Sequence, residues 1–272
     1  MLVAVLPARN EESRIAGVIN DVQRRVDVTV VVDDASQDET GQIARNLGCV
    51  VLRNYERAGY GTTLRRGLLW CSEIRASAIV TVDADGQHDA EWIGQCAPLI
   101  NEGVDVVFAN RFALFDKAPE TKILSNNFAW HCLKRVIGRS PICEDVSCGF
   151  RMYSRRGLKS TVEASLDPGL GYAFTHATCL QLHRSGLRLA AISTPAIYPE
   201  PFVGTQVTEL LDFLRWLSTC RPLRIAAKRW LHCIDRGLPI SLTIERWRTG
   251  EILHVIGERI GEEVRFSRAP RP

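Results

Sequence analysis

The sequence has no long apolar run. Its longest stretch without Asp, Glu, Lys or Arg runs from Pro168 to His183 and contains two histidines and several hydroxyl groups. That stretch falls short of the ~20 apolar residues that a membrane-spanning helix needs. The first segment, MLVAVLPARNEE, has no basic residue before its apolar part, unlike a secretory signal peptide. We therefore expect neither a spanning helix nor a signal peptide.

A strong net charge and paired cysteines are also missing. The 34 basic and 31 acidic residues leave a net charge of +3, far from the strongly basic character of a dedicated nucleic-acid-binding domain. The nine cysteines include no C-x-x-C pair, and they are not spaced as zinc ligands. We expect reduced, mostly buried thiols in a cytoplasmic protein. The 272 residues, 46% hydrophobic, suffice for one large α/β domain or two small ones.

The first 110 residues alternate between two hydrophobic periodicities. Apolar runs predict strands over residues 2–6, 28–32, 50–52, 78–82 and 104–109. Helical spacing predicts helices over residues 11–25, 36–47, around 64–71 and over 89–100. Ser36 and Glu39 read as a capping box for the second of these helices, and Pro98 as the end of the fourth. The alternation predicts an α/β fold with a Rossmann-like, mainly parallel sheet flanked by helices, whose ligands bind at the carboxyl ends of the strands.

The pattern loosens in the second half of the chain. Residues 113–121 read as a loop, residues 123–137 and 172–185 as helices, and residues 145–153 as a loop and strand. Amphipathic helices are predicted over 208–235, broken at Pro222, followed by a hairpin of 240–244 and 252–256. We expect one domain over residues 1–205, followed by a C-terminal extension of amphipathic helices and a hairpin over residues 206–272.

The motif VDADGQHD, residues 82–89, follows a predicted buried strand and holds two aspartates one residue apart. In an extended chain residues i and i+2 point the same way, so the carboxylates of Asp83 and Asp85 would face one pocket. Mg²⁺ typically uses one or two carboxylates together with substrate phosphates, and Gln87 can add a neutral oxygen. We predict a divalent metal site of Asp83, Asp85 and Gln87. The alternative is that Asp85 or Asp89 only caps the next helix.

Polar residues follow the other predicted strands as well. Asn10 and Glu11 come after the first strand, where local helix capping is an equally good interpretation. Asp33 follows the second strand and can accept hydrogen bonds from a nucleobase or ribose, whereas Asp34 suits a strand-to-helix turn. The segment NYERAGYGTTLRRG, residues 54–67, contains Gly59 and Gly61, which permit either close approach of an anion to a helix N-terminus or a plain turn.

Taken together, these segments resemble the inverting glycosyltransferases of family 2 with the GT-A fold, and among them the dolichyl-phosphate mannose synthases and polyprenyl-phosphate glycosyltransferases. Six motifs occur in the family's order within residues 2–155: PARNEE, VVVDDASQDET, ERAGYG, VDADGQHD, VVFANR and DVSCGFRMY. The resemblance implies a metal-dependent enzyme that moves a hexose from a GDP- or UDP-sugar to an acceptor, for which we favour a polyprenyl (dolichyl-like) phosphate.

The resemblance also implies roles for individual residues. Those for nucleotide-sugar binding are Pro7, Ala8, Arg9, Glu11, Asp33, Asp34, Gly61, Asp83 and Ala84. Those for Mg²⁺ or Mn²⁺ are Asp83, Asp85 and Gln87. Asp85, Arg111 and Arg151 are implied as catalytic, the two arginines near the sugar phosphate or the acceptor phosphate. Lys122 and Ser125 are implied for the phosphate of a lipid acceptor.

The resemblance weakens after residue 155. The family's F-x-x-E-like segment reads YAFTHA at residues 172–177, without a carboxylate, and its basic loop over the donor reads EPFVGTQ at residues 200–206, without Arg or Lys. The sugar and the acceptor therefore stay open. One alternative is a hydroxyl acceptor, which requires a carboxylate base. Another is a non-catalytic nucleotide-sugar-binding protein on the same fold.

Residues 215–236 carry six basic residues and one acid, Asp235, interleaved with tryptophans and aliphatic residues. A basic amphipathic helix of this kind is typical of proteins that lie on an anionic membrane surface. The sequence therefore predicts a peripheral contact with the cytoplasmic face of a membrane. The alternative is a helix that packs its apolar face on the protein and leaves its basic face in water.

Overall fold

The computed structural model describes residues 1–114, 119–164, 168–198, 205–245 and 252–269. The strands are β1 (Leu2–Ala8), β2 (Val28–Asp33), β3 (Val50–Arg53), β4 (Ala78–Thr81), β5 (Val106–Leu114), β6 (Arg151–Ser154), β7 (Leu189–Pro195), β8 (Thr205–Gln206), β9 (Ile240–Glu245), β10 (Ile252–Ile260) and β11 (Glu263–Arg268). The α-helices are α1 (Ile15–Gln23), α2 (Thr40–Asn46), α3 (Tyr60–Glu73), α4 (Glu91–Asn101), α5 (Glu120–Ile137), α6 (Arg155–Ala164), α7 (Phe174–Arg184), α8 (Val207–Leu217) and α9 (Arg224–Asp235). Short 3₁₀ segments precede α7 (Pro168–Ala173) and α9 (Arg221–Leu223).

The central sheet has seven strands in the order β3-β2-β1-β4-β6-β5-β7. All neighbouring pairs are parallel except those of β6, which runs antiparallel to β4 and β5. The predicted α/β class with a mainly parallel sheet is confirmed. The strand order reverses direction at β1, between β2 and β4, so a crevice opens there at the carboxyl ends of the strands.

The central strands are apolar on both faces because helices cover both sides of the sheet. Val3 and Val5 of β1 face one cluster, which includes Leu64 and Leu68 of α3. Ala4 and Leu6 face the opposite cluster, which includes residues of α1 and α4. Fully burying an aliphatic side chain of this size contributes roughly 1.5–3 kcal/mol. The sheet is therefore a rigid base on which the loops at its edge are held.

Two local predictions were wrong. Helix α2 begins at Thr40 after Glu39, and Ser36 does not cap it, because its hydroxyl accepts the Asn10 N–H at 3.1 Å. Its own N–H donates to Asp33 Oδ1 at 2.9 Å, which holds the chain in a turn before the helix.

Pro98 lies inside α4 and does not end it. It stands in the last turn, where the missing N–H leaves only one carbonyl without its helical partner.

The C-terminal residues form a second, antiparallel sheet in the order β8-β11-β10-β9. The pairing of β9 with β10 agrees with the predicted hairpin, whose turn at 246–251 lies outside the described residues. Strand β11 was not predicted. Its Phe266 N–H donates to Thr121 Oγ1 at 3.0 Å and its Arg268 pairs with Glu120 at 3.0 Å, so this sheet is fixed to the start of α5.

Helices α8 and α9 pack their aromatic residues into the protein. Trp216 lies 5.9 Å from the Phe213 ring and Trp230 lies 5.2 Å from the Phe128 ring. The exposed face of α9 carries basic residues and Ile225, which is 86% exposed. In the described part of the chain no helix is both long and apolar enough to cross a membrane.

Candidate active site

A cleft of about 430 Å³ lies at the carboxyl ends of β1 and β4. The predicted site residues that line it are Pro7, Ala8, Arg9, Glu11, Asp34, Asp83, Ala84, Asp85, Gln87, Arg111 and Lys122. Asp33, Gly61, Ser125 and Arg151 do not line this cleft. The far wall comes from the second half of the chain and includes Tyr172, His176, Glu209 and Asp212.

Asp83 is held by neighbours on both carboxylate oxygens. The Tyr60 hydroxyl donates to Oδ1 at 2.9 Å, and His88 Nε2 lies 3.6 Å from Oδ2. Gly149 packs against the same carboxylate so closely that a Cβ there would lie 2.6 Å from Oδ2. Burial raises the pKa of Asp83, while Tyr60 and two nearby arginines oppose that rise. The orientation of the carboxylate is therefore fixed before any ligand binds.

Asp85 lies in the turn after β4, where its Oδ1 accepts the Gln87 N–H at 3.0 Å. Burial raises its pKa, and the charge of Asp83 adds to the rise. Glu11 also has a raised pKa, caused mainly by burial with a contribution from Asp85. Within the described residues no three Asp, Glu, His or Cys side chains are grouped as a complete metal site. The carboxylates of Asp83 and Asp85 beside the Gln87 amide have the donor chemistry that Mg²⁺ binds together with substrate phosphates, and a cation would relieve the repulsion between them. The residues present therefore fit a divalent metal.

His88 supports this turn as a neutral imidazole. Its ring is buried between Trp92 and Phe150, with both ring centroids 5.7 Å away. Burial lowers its pKa to about 4, and Arg111 acts in the same direction. Nδ1 accepts the Asp83 N–H at 3.0 Å, so the proton of the neutral ring is on Nε2, which lies 3.6 Å from both Cys148 Sγ and Asp83 Oδ2.

The two aspartates after β2 have different surroundings. Asp33 is fully buried, and its Oδ2 pairs with Arg53 at 3.0 Å. Asp34 accepts the backbone N–H groups of Ala58 and Gly59 at 2.7 and 3.0 Å. Burial alone would raise the pKa of Asp34, but these hydrogen bonds outweigh it and lower the pKa. Asp34 thus ties the glycine-containing loop to the sheet, a role beyond the turn formation that its position predicts.

Arg111 reaches the cleft wall from β5 and forms a two-pronged pair with Asp145. The distances are 2.7 Å from Nε to Oδ2 and 3.3 Å from Nη2 to Oδ1. Burial would lower the pKa of Arg111, but Asp145 raises it well above its ordinary value. The guanidinium group is therefore a fixed positive charge at the cleft.

Arg151, which was predicted near the sugar phosphate or the acceptor phosphate, is buried and does not line the cleft. It is 1% exposed, and its guanidinium donates to Thr178 Oγ1 and to the Thr175 carbonyl, both at 2.7 Å. It also covers the Phe108 ring at 5.0 Å. Its charge still reaches the site through space, because it lowers the pKa of Asp83. In this geometry Arg151 supports the site from beneath.

Gly61 likewise does not line the cleft but allows close packing beside it. A Cβ at Gly61 would lie 2.6 Å from the Gly171 carbonyl oxygen. Next to this contact the Tyr60 and Tyr172 rings stack at 5.5 Å, and the Tyr172 N–H donates to Asp212 Oδ2 at 3.1 Å. These contacts connect α3, which presents Tyr60 to Asp83, with α8.

Several residues of the site were not predicted. They are Arg57, Tyr60, His88, Asp145, Tyr172, Glu209 and Asp212. Four of them, Arg57, Tyr60, His88 and Asp145, lie inside the recognised motifs ERAGYG, VDADGQHD and DVSCGFRMY, so those motifs offered a signal. Glu209 and Asp212 supply carboxylates from α8, whereas the sequence directed attention to the helix near residue 172.

Comparisons with known proteins identify the family to which the chain belongs. A sequence model described as glycosyl transferase family 2 matches residues 3–161. The dolichyl-phosphate hexose transferase of Haloferax volcanii is 32% identical over 174 residues, 62% of this chain and 72% of that protein. The UDP-N-acetylglucosamine–dolichyl-phosphate N-acetylglucosaminyltransferase of Methanococcus voltae is 28% identical over 181 residues, 58% of this chain and 71% of that protein.

A solved structure shares the fold across nearly the whole chain. The glucosyl-3-phosphoglycerate synthase of Mycobacterium tuberculosis, in complex with Mn²⁺, UDP and glucosyl-3-phosphoglycerate, has a TM-score of 0.57 and 19% sequence identity. The alignment covers 97% of this chain and 89% of that one. The family match spans more than half of the chain. The chain therefore belongs to glycosyl transferase family 2 and is a nucleotide-sugar-dependent glycosyltransferase with a GT-A fold.

Proposed function

We propose that this enzyme transfers a hexose, with inversion, from a nucleoside diphosphate sugar to a polyprenyl phosphate in a reaction that requires Mg²⁺ or Mn²⁺. The observation that carries the proposal is that one cleft is lined both by the acids Glu11, Asp83 and Asp85 and by the cations Arg111 and Lys122. The acids suit a divalent ion, and the cations suit phosphate groups. Two relatives named for transfer to dolichyl phosphate support the choice of acceptor.

The donor nucleotide belongs at the β1 side of the cleft in this proposal. Pro7, Ala8 and Arg9 line that side, and Arg9 Nε is buried without a hydrogen-bond partner among the described residues. Asp33 does not line the cleft and pairs with Arg53 at 3.0 Å. An anionic nucleotide would therefore meet an arginine and a preformed polar edge.

The diphosphate and the metal belong at the end of β4. Asp83, Asp85 and Gln87 would hold the ion, and Ala84 lies between the two carboxylates. A bound Mg²⁺ or Mn²⁺ supplies Lewis-acid stabilisation of the charge that develops on the leaving diphosphate. Tyr60 and His88 keep the Asp83 carboxylate in place, so little reorganisation is needed when the donor binds.

The acceptor phosphate belongs beside Lys122 and Arg111, with Ser125 one helical turn further along α5. An ionised phosphate oxygen attacks the anomeric carbon from the face opposite the leaving group. The bond from that carbon to the diphosphate oxygen breaks, and its electron pair leaves with the nucleoside diphosphate. The nucleophile is already anionic, so no side chain has to remove a proton.

Glu209 favours a second candidate, transfer to a hydroxyl acceptor. It lines the cleft from α8, and a carboxylate there has the chemistry of a general base. This candidate predicts that Glu209→Gln abolishes transfer at every donor concentration. The phosphate-acceptor proposal predicts that the same variant retains turnover, because an ionised phosphate needs no base.

Donor binding tests the proposal directly. Thermal unfolding of the protein is followed with UDP-glucose, UDP-N-acetylglucosamine and GDP-mannose, each with Mn²⁺ and with EDTA, because a ligand of the folded state raises the unfolding temperature. We expect one of these sugars to stabilise the protein only when Mn²⁺ is present. No stabilisation by any of them, or an equal effect with EDTA, would contradict the proposed metal site.

We further propose that the protein binds the cytoplasmic face of a membrane through residues 215–236. The exposed side of α9 is basic, which supports an electrostatic contact with anionic lipid. Trp216 and Trp230 are partly buried and pack against the core, so this contact does not rely on their insertion. Such a location would bring the cleft to a lipid-linked acceptor.

A further inference from the structure

A second cavity of about 110 Å³ adjoins the cleft. The residues that line both spaces are Gln87, Arg111, Lys122, Ser147, His176 and Glu209. Ser125, which does not line the cleft, lines this second cavity. The two spaces therefore meet at the point where Lys122 and Arg111 present their positive charges.

The wall away from this junction is aromatic. The Phe128 ring lies 5.9 Å from the Phe213 ring and 6.0 Å from the Phe266 ring. Leu210 and Ala129 complete that apolar side. A space that is cationic at one end and apolar at the other matches an amphipathic anion. We call this second space the aromatic pocket.

Much of the aromatic pocket is built by the part of the chain that follows the family match over residues 3–161. Leu210 and Phe213 come from α8, and Phe266 comes from β11. Strand β11 is attached to the start of α5, which carries Lys122, by the hydrogen bond from the Phe266 N–H to Thr121 Oγ1. The C-terminal sheet therefore sets the distance between the apolar wall and the cationic junction.

The size of the aromatic pocket limits what it can hold. A cavity of about 150 Å³ lined by aliphatic and aromatic side chains accepts benzene. The 110 Å³ of this pocket therefore have room for about one branched five-carbon unit. A hydrophilic phosphate ester such as glycerol 3-phosphate would place polar hydroxyl groups against the rings of Phe213 and Phe266, where burying them is unfavourable.

We infer that the aromatic pocket seats the first isoprenoid unit of a lipid phosphate whose phosphate lies at Lys122 and Arg111. Phe213 and Phe266 are then specificity-determining residues that select a lipid phosphate over a hydrophilic phosphate ester. This inference rests on the proposed function for the reaction, and it assigns the selection of the acceptor to the C-terminal extension.

Calorimetric titration with farnesyl phosphate, a short and dispersible lipid phosphate, tests the inference without turnover. The wild-type protein should bind farnesyl phosphate at least tenfold more tightly than glycerol 3-phosphate or inorganic phosphate. Phe213→Ala removes one wall of the pocket and should weaken the binding of farnesyl phosphate about tenfold. Ala129→Phe fills the pocket and should weaken it at least as much, which keeps the test decisive if the first variant does not fold.

Leu214→Ala provides the matched control. Leu214 is the next residue on α8, is fully buried and lines neither space, so its truncation should leave the affinity for farnesyl phosphate unchanged. Equal affinity in wild type, Phe213→Ala and Ala129→Phe overturns the inference, as does equal binding of glycerol 3-phosphate. Binding of the UDP- and GDP-sugars with Mn²⁺ is measured in parallel. If none of them binds the wild type, the proposed donor site is refuted, while the lipid titration still decides this inference.

Discussion

At the scale of single residues, the site depends on Asp83 being held from three directions. Tyr60 donates to one oxygen, His88 lies beside the other, and Gly149 leaves room for both contacts. A Cβ at residue 149 would lie 2.5 Å from the Tyr60 hydroxyl. Neighbours that orient a ligand carboxylate tune metal affinity by about 10–100-fold in known sites.

Tyr60→Phe removes the hydroxyl and keeps the ring. We expect the dissociation constant for Mn²⁺, followed by electron paramagnetic resonance of the free ion, to rise roughly tenfold, because Asp83 loses the hydrogen bond that orients it. Tyr172→Phe keeps the ring stack on Tyr60 and should leave Mn²⁺ binding unchanged. Identical Mn²⁺ affinities for Tyr60→Phe and wild type would remove Tyr60 from this role.

His176 makes stability depend on pH. Burial lowers its pKa from the ordinary 6.5 to about 3, and Arg151 acts in the same direction. Below pH 6.5 the unfolded chain takes up a proton that the folded protein does not, so the free energy of unfolding falls as pH falls. From pH 7 to pH 5 this residue accounts for about 2 kcal/mol of the loss.

Urea unfolding at the two pH values measures the effect. His176→Gln should show a smaller fall in unfolding free energy than wild type, by about 2 kcal/mol. His232→Gln, at an exposed position on α9, is the control, and its unfolding free energy should fall as much as that of wild type. An unchanged pH slope in His176→Gln would show that the imidazole is not held neutral in the folded state.

The sequence pointed to the acidic residues at the ends of β1 and β4 but not to the residues that support them. Asp83 and Asp85 are separated by one residue, so local spacing was enough to pair them. Tyr60 and Asp83 are far apart along the chain and meet only after α3 has packed on the sheet. Arg151 shows what a motif leaves open. The motif placed this cation near the site but did not indicate whether its side chain faces the ligand or the core.

At the scale of elements, the approach of α3 to the sheet sets where Tyr60 lies. Gly67 faces β1 and β2 so closely that a Cβ there would lie 2.4 Å from Val5 Cγ1 and 2.9 Å from Val32 Cγ2. The side-chain atoms of two buried strands cannot give way easily in a close-packed interior. The glycine is therefore required for the helix to reach its position.

Gly67→Ala and Gly94→Ala form a matched pair. Both residues lie inside helices, where alanine is more favourable than glycine by about 1 kcal/mol. A Cβ at Gly94 meets no atom within 4 Å, so that variant should gain about 0.5–1 kcal/mol. Gly67→Ala should instead lose about 1–3 kcal/mol from overpacking. Denaturant unfolding measures both, and equal stabilities would contradict the close packing of α3.

The elements of the first half were predictable because their signals are local and strong. Strands such as β1 and β2 are continuous apolar runs, and the helices between them repeat with helical spacing. Strand β11 was missed because its alternation of Val264 and Phe266 with charged residues is short, and its position depends on contacts with the distant α5. Helix boundaries shifted where side chains such as Asp33 held the chain in a turn.

At the scale of the whole molecule, a net charge of +3 averages two separated regions. Acidic residues gather at the carboxyl ends of β1 and β4, where a cation would bind. Basic residues gather on the exposed side of α9. Each Lys or Arg near an anionic membrane contributes about 1 kcal/mol to binding. A basic face of this kind can therefore bind an anionic membrane even though the molecule as a whole is only weakly basic.

Charge reversal on α9 tests the membrane contact. Changing Arg224, Lys228 and Arg229 together to Glu should weaken binding to phosphatidylglycerol vesicles at least a hundredfold in a sedimentation assay. Wild type should bind these vesicles and not vesicles of phosphatidylcholine alone.

The control reverses the same number of charges elsewhere on the surface. Arg24, Lys159 and Arg259 are exposed and lie away from α9, so their replacement by Glu should weaken vesicle binding much less. Equal losses in the two triple variants would mean that total charge, and not the basic face of α9, governs the interaction.

The central claim, metal-dependent transfer to a lipid phosphate through Asp85, is tested most directly by product formation. Labelled hexose from the UDP- or GDP-sugar that stabilises the protein is supplied with Mn²⁺ and a polyprenyl phosphate, and the lipid-linked sugar is counted. We predict that wild type and Asp89→Asn, a change in the same turn outside the cleft, form the product. EDTA or Asp85→Asn should reduce it by at least a hundredfold, while Asp85→Asn keeps the unfolding temperature of wild type. Undiminished product from a folded Asp85→Asn enzyme, or from wild type in EDTA, would contradict the account.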